Sequence, residues 1–107
     1  MKALLVSRVG LSVRILEELR KLGVTEFVNY YDRYDSWKTG GDIVNVAKEI
    51  GADTVVIIAN FKTALEILAG GIAPVIVIVP KFTTFTEIVT GRIHIIDGNV
   101  RILERDV

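Results

Sequence analysis

The sequence predicts a three-layer α/β sandwich, with a doubly wound parallel sheet in strand order 2-1-3-4, helices on both faces and a β-hairpin at the C-terminal end. Three observations lead there. Runs of β-branched residues alternate with segments of helical periodicity along most of the chain. Two of those runs, residues 54–59 and 74–79, are almost continuously apolar, as strands covered on both faces must be. Near the end stands Asp97-Gly98, a pair suited to a two-residue type I′ turn, between two short segments able to pair across it.

Each element follows in order. Residues 3–6 read as the first strand; the apolar stretch is too short for a signal peptide and no cleavage-like segment follows it. Over residues 11–22, Ile15, Leu19 and Leu22 recur at helical spacing and Leu16 widens the stripe. Glu17, Glu18, Arg20 and Lys21 take the opposite face. Gly23 is placed to end that helix in a left-handed conformation. Residues 26–31 form the second strand, whose mixed composition suits an edge. Ile43, Val46, Ala47 and Ile50 mark a second amphipathic helix stopped by Gly51, and the third strand follows at 54–59. Ala64, Leu65 and Leu68 mark a third helix that ends at Gly70-Gly71, ahead of the fourth strand at 74–79. The first, third and fourth strands are the most apolar and take the centre of the sheet. Beyond the fourth, segments 92–96 and 99–104 flank the Asp97-Gly98 turn. That register sets Ile95 opposite Val100 and Ile93 opposite Ile102, so four apolar residues share one face, whereas pairing about Gly98-Asn99 would scramble it. The topology is of the flavodoxin-like and Rossmann-like kind.

Composition narrows the function. At 107 residues, half of them apolar, the chain suits one domain with a continuous core. No apolar run reaches the roughly 18 residues of a membrane span. Cysteine is absent and histidine occurs once, which excludes disulfides, thiolate catalysis, Cys-bound zinc and a His-rich metal site. Zero formal net charge argues against duplex nucleic acid, whose binders rely on a basic excess to release phosphate counterions. Glutamine is also absent and the single methionine is Met1, a depletion of thermolabile residues common in thermophile proteins. A cytoplasmic location is expected, and no dedicated cofactor.

In open α/β sheets, ligands bind beyond the carboxyl ends of the strands where strand order reverses, here between the first and third strands. Loops 7–12, 32–41, 60–63 and 80–84 meet near that edge. Thr39-x-x-Asp42, Thr63-x-x-Glu66 and Thr84-x-x-Glu87 each match a capping box, so several helix N-termini would point the same way. Arg8, Lys62 and Lys81 add cations from three loops, and Ser12, Thr63 and Thr84 add hydroxyls. Ser7, Gly10, Asn60 and Thr83 complete the candidate ligand-binding residues, with Tyr31 or Trp37 placed to stack. A phosphate-bearing ligand would be favoured there, although helix starts cluster at this edge in every such fold and exposed lysines are ordinary surface. Gly10 with its flanking serines lacks the three glycines of a dinucleotide fingerprint and the Gly-Lys-Ser/Thr of a P-loop; a tight turn with Ser12 as N-cap explains it equally well.

Residues 30–37 gather Tyr30, Tyr31, Tyr34 and Trp37 beside Arg33. Such a cluster stacks on a ligand, anchors a protein interface, or folds down to cover the core. Gly40-Gly41, just beyond, reads as a lid hinge or as turn chemistry. Catalysis has little support. Asp32 and Asp35 have no partner carboxylate to complete a magnesium site, His94 has no acidic partner, and no Ser-His-Asp arrangement or receiver-type acidic pair is present. The leading expectation is a non-enzymatic binding or regulatory domain for a phosphate-bearing small molecule or nucleotide. An assembly subunit and a phosphate-processing enzyme stand behind it. A homodimer or larger assembly is expected, because the hairpin carries Ile93, Ile95, Val100 and Ile102 on one face but also Ile96 and Leu103 on the other, and only one face would pack on the parent core.

Overall fold

The computed structural model describes residues 1–80 and 100–105. Strands β1 (Lys2–Val6), β2 (Glu26–Asn29), β3 (Thr54–Ile58), β4 (Val75–Pro80) and β5 (Val100–Arg105) form one sheet in the order 2-1-3-4-5. Every pairing is parallel. The predicted order of the first four strands is therefore observed, with β2 at an edge. β5 lies beyond β4, where the last segment was expected. The Asp97-Gly98 turn, segment 92–96 and the Ile95–Val100 pairing lie outside the described residues.

Helix α1 (Val13–Lys21) covers one face of the sheet, and α2 (Gly40–Ile50) and α3 (Phe61–Ala69) cover the other. Strand alternation sorts the core accordingly. Leu4, Val6, Val55, Ile57, Val75, Val77 and Val100 pack with Ile43, Ala47, Ala64 and Ile67 of α2 and α3. Ala3, Val56, Ile76 and Ile78 pack with Ile15 and Leu19 of α1. β5 is divided in the same way. Ile102 packs with the first cluster and Leu103 with the second. The expectation that only one face of this strand could pack on the core is thus overturned at Leu103, because a strand within the sheet has a layer on each side.

Helix ends follow the sequence in two places and depart from it in one. The Ser12 hydroxyl caps α1 by accepting from the Ile15 N–H at 3.3 Å, and Gly23 beyond its last turn has φ of 95°. Thr39 and Asp42 form the expected box at α2, where the Asp42 carboxylate accepts from the backbone N–H groups of Lys38 and Thr39 at 2.8 and 3.2 Å. For α3 the expected cap, Thr63, is corrected to Asn60, whose side-chain oxygen accepts from the Thr63 N–H at 3.0 Å. Thr63 is buried inside the first turn. Glu66 reaches instead across to α2 and accepts from the Gly40 N–H at 2.7 Å. Thr84-x-x-Glu87 lies outside the described residues.

The two glycines expected to form a hinge or turn before α2 prove unlike. A β-carbon on Gly40 would overlap that of Glu66 and stand 3.1 Å from the Thr63 carbonyl oxygen. Its absence lets the start of α2 seat directly on α3. No helix among the described residues is long and apolar enough to cross a membrane.

Candidate functional site

β2 ends at Asn29, two residues earlier than its composition suggests, and this early stop builds one wall of a cavity. The Asn29 carboxamide oxygen accepts from the Tyr31 N–H at 3.1 Å, which turns the chain into a short 3-10 segment over Tyr30–Asp32. The other end of the same side chain donates from Nδ2 to the Ser7 carbonyl at 2.9 Å. One residue therefore ties the loop after β1 to the loop after β2. Ser7 is itself buried, donating to the Val9 carbonyl at 2.7 Å and accepting from the Val9 N–H at 3.2 Å.

The aromatic segment resolves into distinct roles. Tyr30 is buried in the core and donates to the Ser36 carbonyl at 2.8 Å. Burial first, and then the negative charge of Asp42, raise its phenol above the ordinary value and keep it a neutral donor. Tyr31 and Trp37 pack half-buried against the same core, and the Trp37 indole donates to the Tyr31 hydroxyl at 2.9 Å. Tyr30 meets Tyr31 edge-on, with ring centroids 5.5 Å apart. Tyr34 stays exposed. Covering the core is thus the role of Tyr30, whereas Tyr31 and Trp37 cover it and also face outward into the cavity.

Arg8 closes the arrangement. Its guanidinium carbon lies 4.1 Å from the centroid of the Tyr31 ring, and Nη2 donates to the Asp35 carbonyl at 2.6 Å. Opposite, Ala59 leaves β3 with φ of 45°, in the left-handed region that a non-glycine residue seldom adopts. The turn places Asn60 at once as the cap of α3 and at the cavity.

These groups surround a cavity of about 290 Å³ at the carboxyl ends of β1 and β3, on the switch between them. Val6, Ile57 and Ile58 at the strand ends supply an apolar floor, with Val9 at the side. Ser7, Arg8, Tyr31, Trp37 and Asn60 are the expected site residues that the structure brings together. Ser12 is occupied as a cap, Gly10 and Lys62 are exposed away from the lining, and Thr63 is buried under α3. Lys81, Thr83 and Thr84 lie outside the described residues.

No family model, curated protein or solved structure matches this chain. The chemistry of the cavity alone carries the functional reading. That chemistry is one of binding. A planar cation is fixed over an aromatic wall, above an apolar floor, at the sheet edge where α/β domains take ligands. Among the described residues no group of three or more His, Asp or Glu side chains converges to hold a metal, and Asp32 and Asp35 gain no third ligand.

Sequence reasoning missed the floor and Asn29. The floor follows from topology once the strand order is known, since the last residues of the two switch strands must form it. Asn29 carried a signal as well, as a turn-forming residue inside an otherwise strand-like run.

Proposed function

We propose that this chain is a non-enzymatic binding or regulatory domain for a phosphate-bearing small molecule, of mononucleotide size or smaller, taken between the ends of β1 and β3. The observation that carries the reading is Arg8, held over Tyr31 and anchored to Asp35 at the cavity, with its remaining N–H groups uncommitted among the described residues. A guanidinium fixed in this way loses little side-chain freedom on meeting an oxyanion, which favours Arg over a flexible lysine at such a position. The test is thermal unfolding with a panel of mononucleotides, cyclic nucleotides and sugar phosphates. A ligand at a hundredfold excess over its dissociation constant adds about 2.7 kcal/mol of stability and raises Tm. Arg8→Ala is expected to abolish the shift, and Lys62→Ala, off the lining, to leave most of it. A panel without effect at millimolar concentration overturns the reading, and release of inorganic phosphate would make the protein an enzyme instead.

A second reading, assembly through protein contacts, draws on Val9 and Val13, which are 53% and 71% exposed beside the same site. The composition supports a cytoplasmic, heat-adapted protein in either case.

A further inference from the structure

The polar groups of the cavity are not balanced between donors and acceptors. Ser7 is used in both senses by Val9, and the Trp37 indole N–H is used by Tyr31. The Tyr31 oxygen accepts from that indole, which leaves its proton to donate. Asn60 has its oxygen taken by the Thr63 N–H, which leaves both protons of Nδ2. Arg8 gives one bond to Asp35 and is otherwise free to donate, and it has no acceptor to offer. Among the described residues, then, the side-chain hydrogen bonding still on offer in this lining is donation, from three residues on three loops.

We infer that the cavity selects a single aromatic ring bearing an oxyanion, with the ring on the apolar floor of Val6, Ile57 and Ile58 and the anion among Arg8, Tyr31 and Asn60. This rests on the reading of the site as a small-anion pocket and narrows it in two ways. The volume of about 290 Å³ lies at the lower end of ligand pockets, roughly 300–1,000 Å³, which suits one ring rather than a dinucleotide. The donor excess disfavours amines and amidines, whose own N–H groups would face N–H and O–H groups and a fixed positive charge. A buried group left unpaired in that way costs more than a lost contact, so discrimination should be strong.

Isothermal titration of the whole chain with phenyl phosphate, benzoate, inorganic phosphate and benzylamine tests this. Either ring-bearing oxyanion is expected to bind at least tenfold more tightly than inorganic phosphate, with no heat from benzylamine; phenyl phosphate against benzoate tells which oxyanion is preferred. Asn60→Asp is the decisive variant, because aspartate caps a helix as well as asparagine while replacing two donors by a negative charge. It is expected to leave Tm within about 2 °C and to weaken phenyl phosphate or benzoate at least tenfold. Should that variant destabilise the fold, Tyr31→Phe keeps the ring under Arg8, removes one donor, and is expected to weaken binding about threefold. Inorganic phosphate binding as tightly as the ring compounds, benzylamine binding as tightly as benzoate, or an unchanged affinity in a folded Asn60→Asp variant each overturns the inference and leaves the anion-pocket reading standing. If none of the oxyanions binds, both readings fall.

Discussion

Asn29 and Asn60 each divide their two polar atoms between separate tasks, and both sit where a strand gives way to a loop. Asn29 ends β2 with its oxygen and reaches Ser7 with its nitrogen; Asn60 caps α3 with its oxygen and keeps its nitrogen for the cavity. Ala59, just before Asn60, bears the conformational cost of that placement. A left-handed alanine is disfavoured by about 1–2 kcal/mol, while glycine there would cost about 0.4–1 kcal/mol through a freer unfolded chain. Ala59→Gly is therefore expected to stabilise the protein by about 0.5 kcal/mol, read as a higher urea midpoint at unchanged slope. Asp42 offers a test in pH. Its carboxyl is lowered chiefly by the backbone N–H groups of Lys38 and Thr39. A group whose folded value is depressed stabilises above its unfolded value of about 4 and loses that contribution as pH falls through the folded value. The stability difference between the wild type and Asp42→Asn should thus be full at neutral pH and close below about pH 4. A gap that persists at pH 2 would show that the carboxylate charge is not its source.

At the scale of elements, α2 and α3 meet through two glycines rather than through interlocked side chains. A β-carbon on Gly70 would stand 2.7 Å from Val44 Cγ2, and one on Gly40 would meet the Glu66 β-carbon and α3 backbone. Overpacking of this kind costs about 1–3 kcal/mol. The two sites are expected to differ in rescue. In a Val44→Ala background the cost of Gly70→Ala should fall below about 1 kcal/mol, because the obstructing methyls are gone. Glu66→Ala should not rescue Gly40→Ala, since its β-carbon and the helix backbone remain. A double-mutant cycle in urea measures both couplings. The same helix pair shows why local pattern reading failed at α3. Thr63-x-x-Glu66 has the spacing of a capping box, but Asn60 already supplies an acceptor three residues earlier, and a free N–H from another helix draws the glutamate away. Spacing can be read from sequence, whereas competition for one carboxylate by a residue 26 positions off cannot.

For the molecule as a whole, strand order was legible because burial orders strands by composition. Ile76, Ile78, Val55 and Val56 are fully buried, while Glu26 to Asn29 are exposed or half-covered. The switch between β1 and β3, and hence the region of the cavity, followed from that order. Which loop residues would line it did not follow. Lys62 and Arg8 look equivalent as sequence, and only the pairing of Arg8 with Tyr31 and Asp35 separates them. Association also changes its basis. Leu103 is accommodated inside the sandwich, so the case for a dimer passes to exposed Val9 and Val13 at the start of α1. Light scattering at micromolar concentration is expected to give twice the 11.8 kDa chain mass, and Val13→Glu to return it to one. A wild-type mass of one chain removes the dimer.

The bonds among Arg8, Tyr31, Trp37 and Asp35 have a kinetic consequence. The cavity walls are already in their working positions before any ligand arrives, so ordering these side chains, which costs about 0.5–1.5 kcal/mol each when it must accompany binding, is complete on folding. Association should then be a single encounter without a following rearrangement. Trp37, the only tryptophan and a wall of the cavity, reports it directly. In stopped-flow fluorescence the observed rate is expected to rise linearly with ligand concentration, and differences in affinity among ligands to reside in how slowly each one leaves. A rate that reaches a plateau would mean that the wall is assembled around the ligand rather than before it.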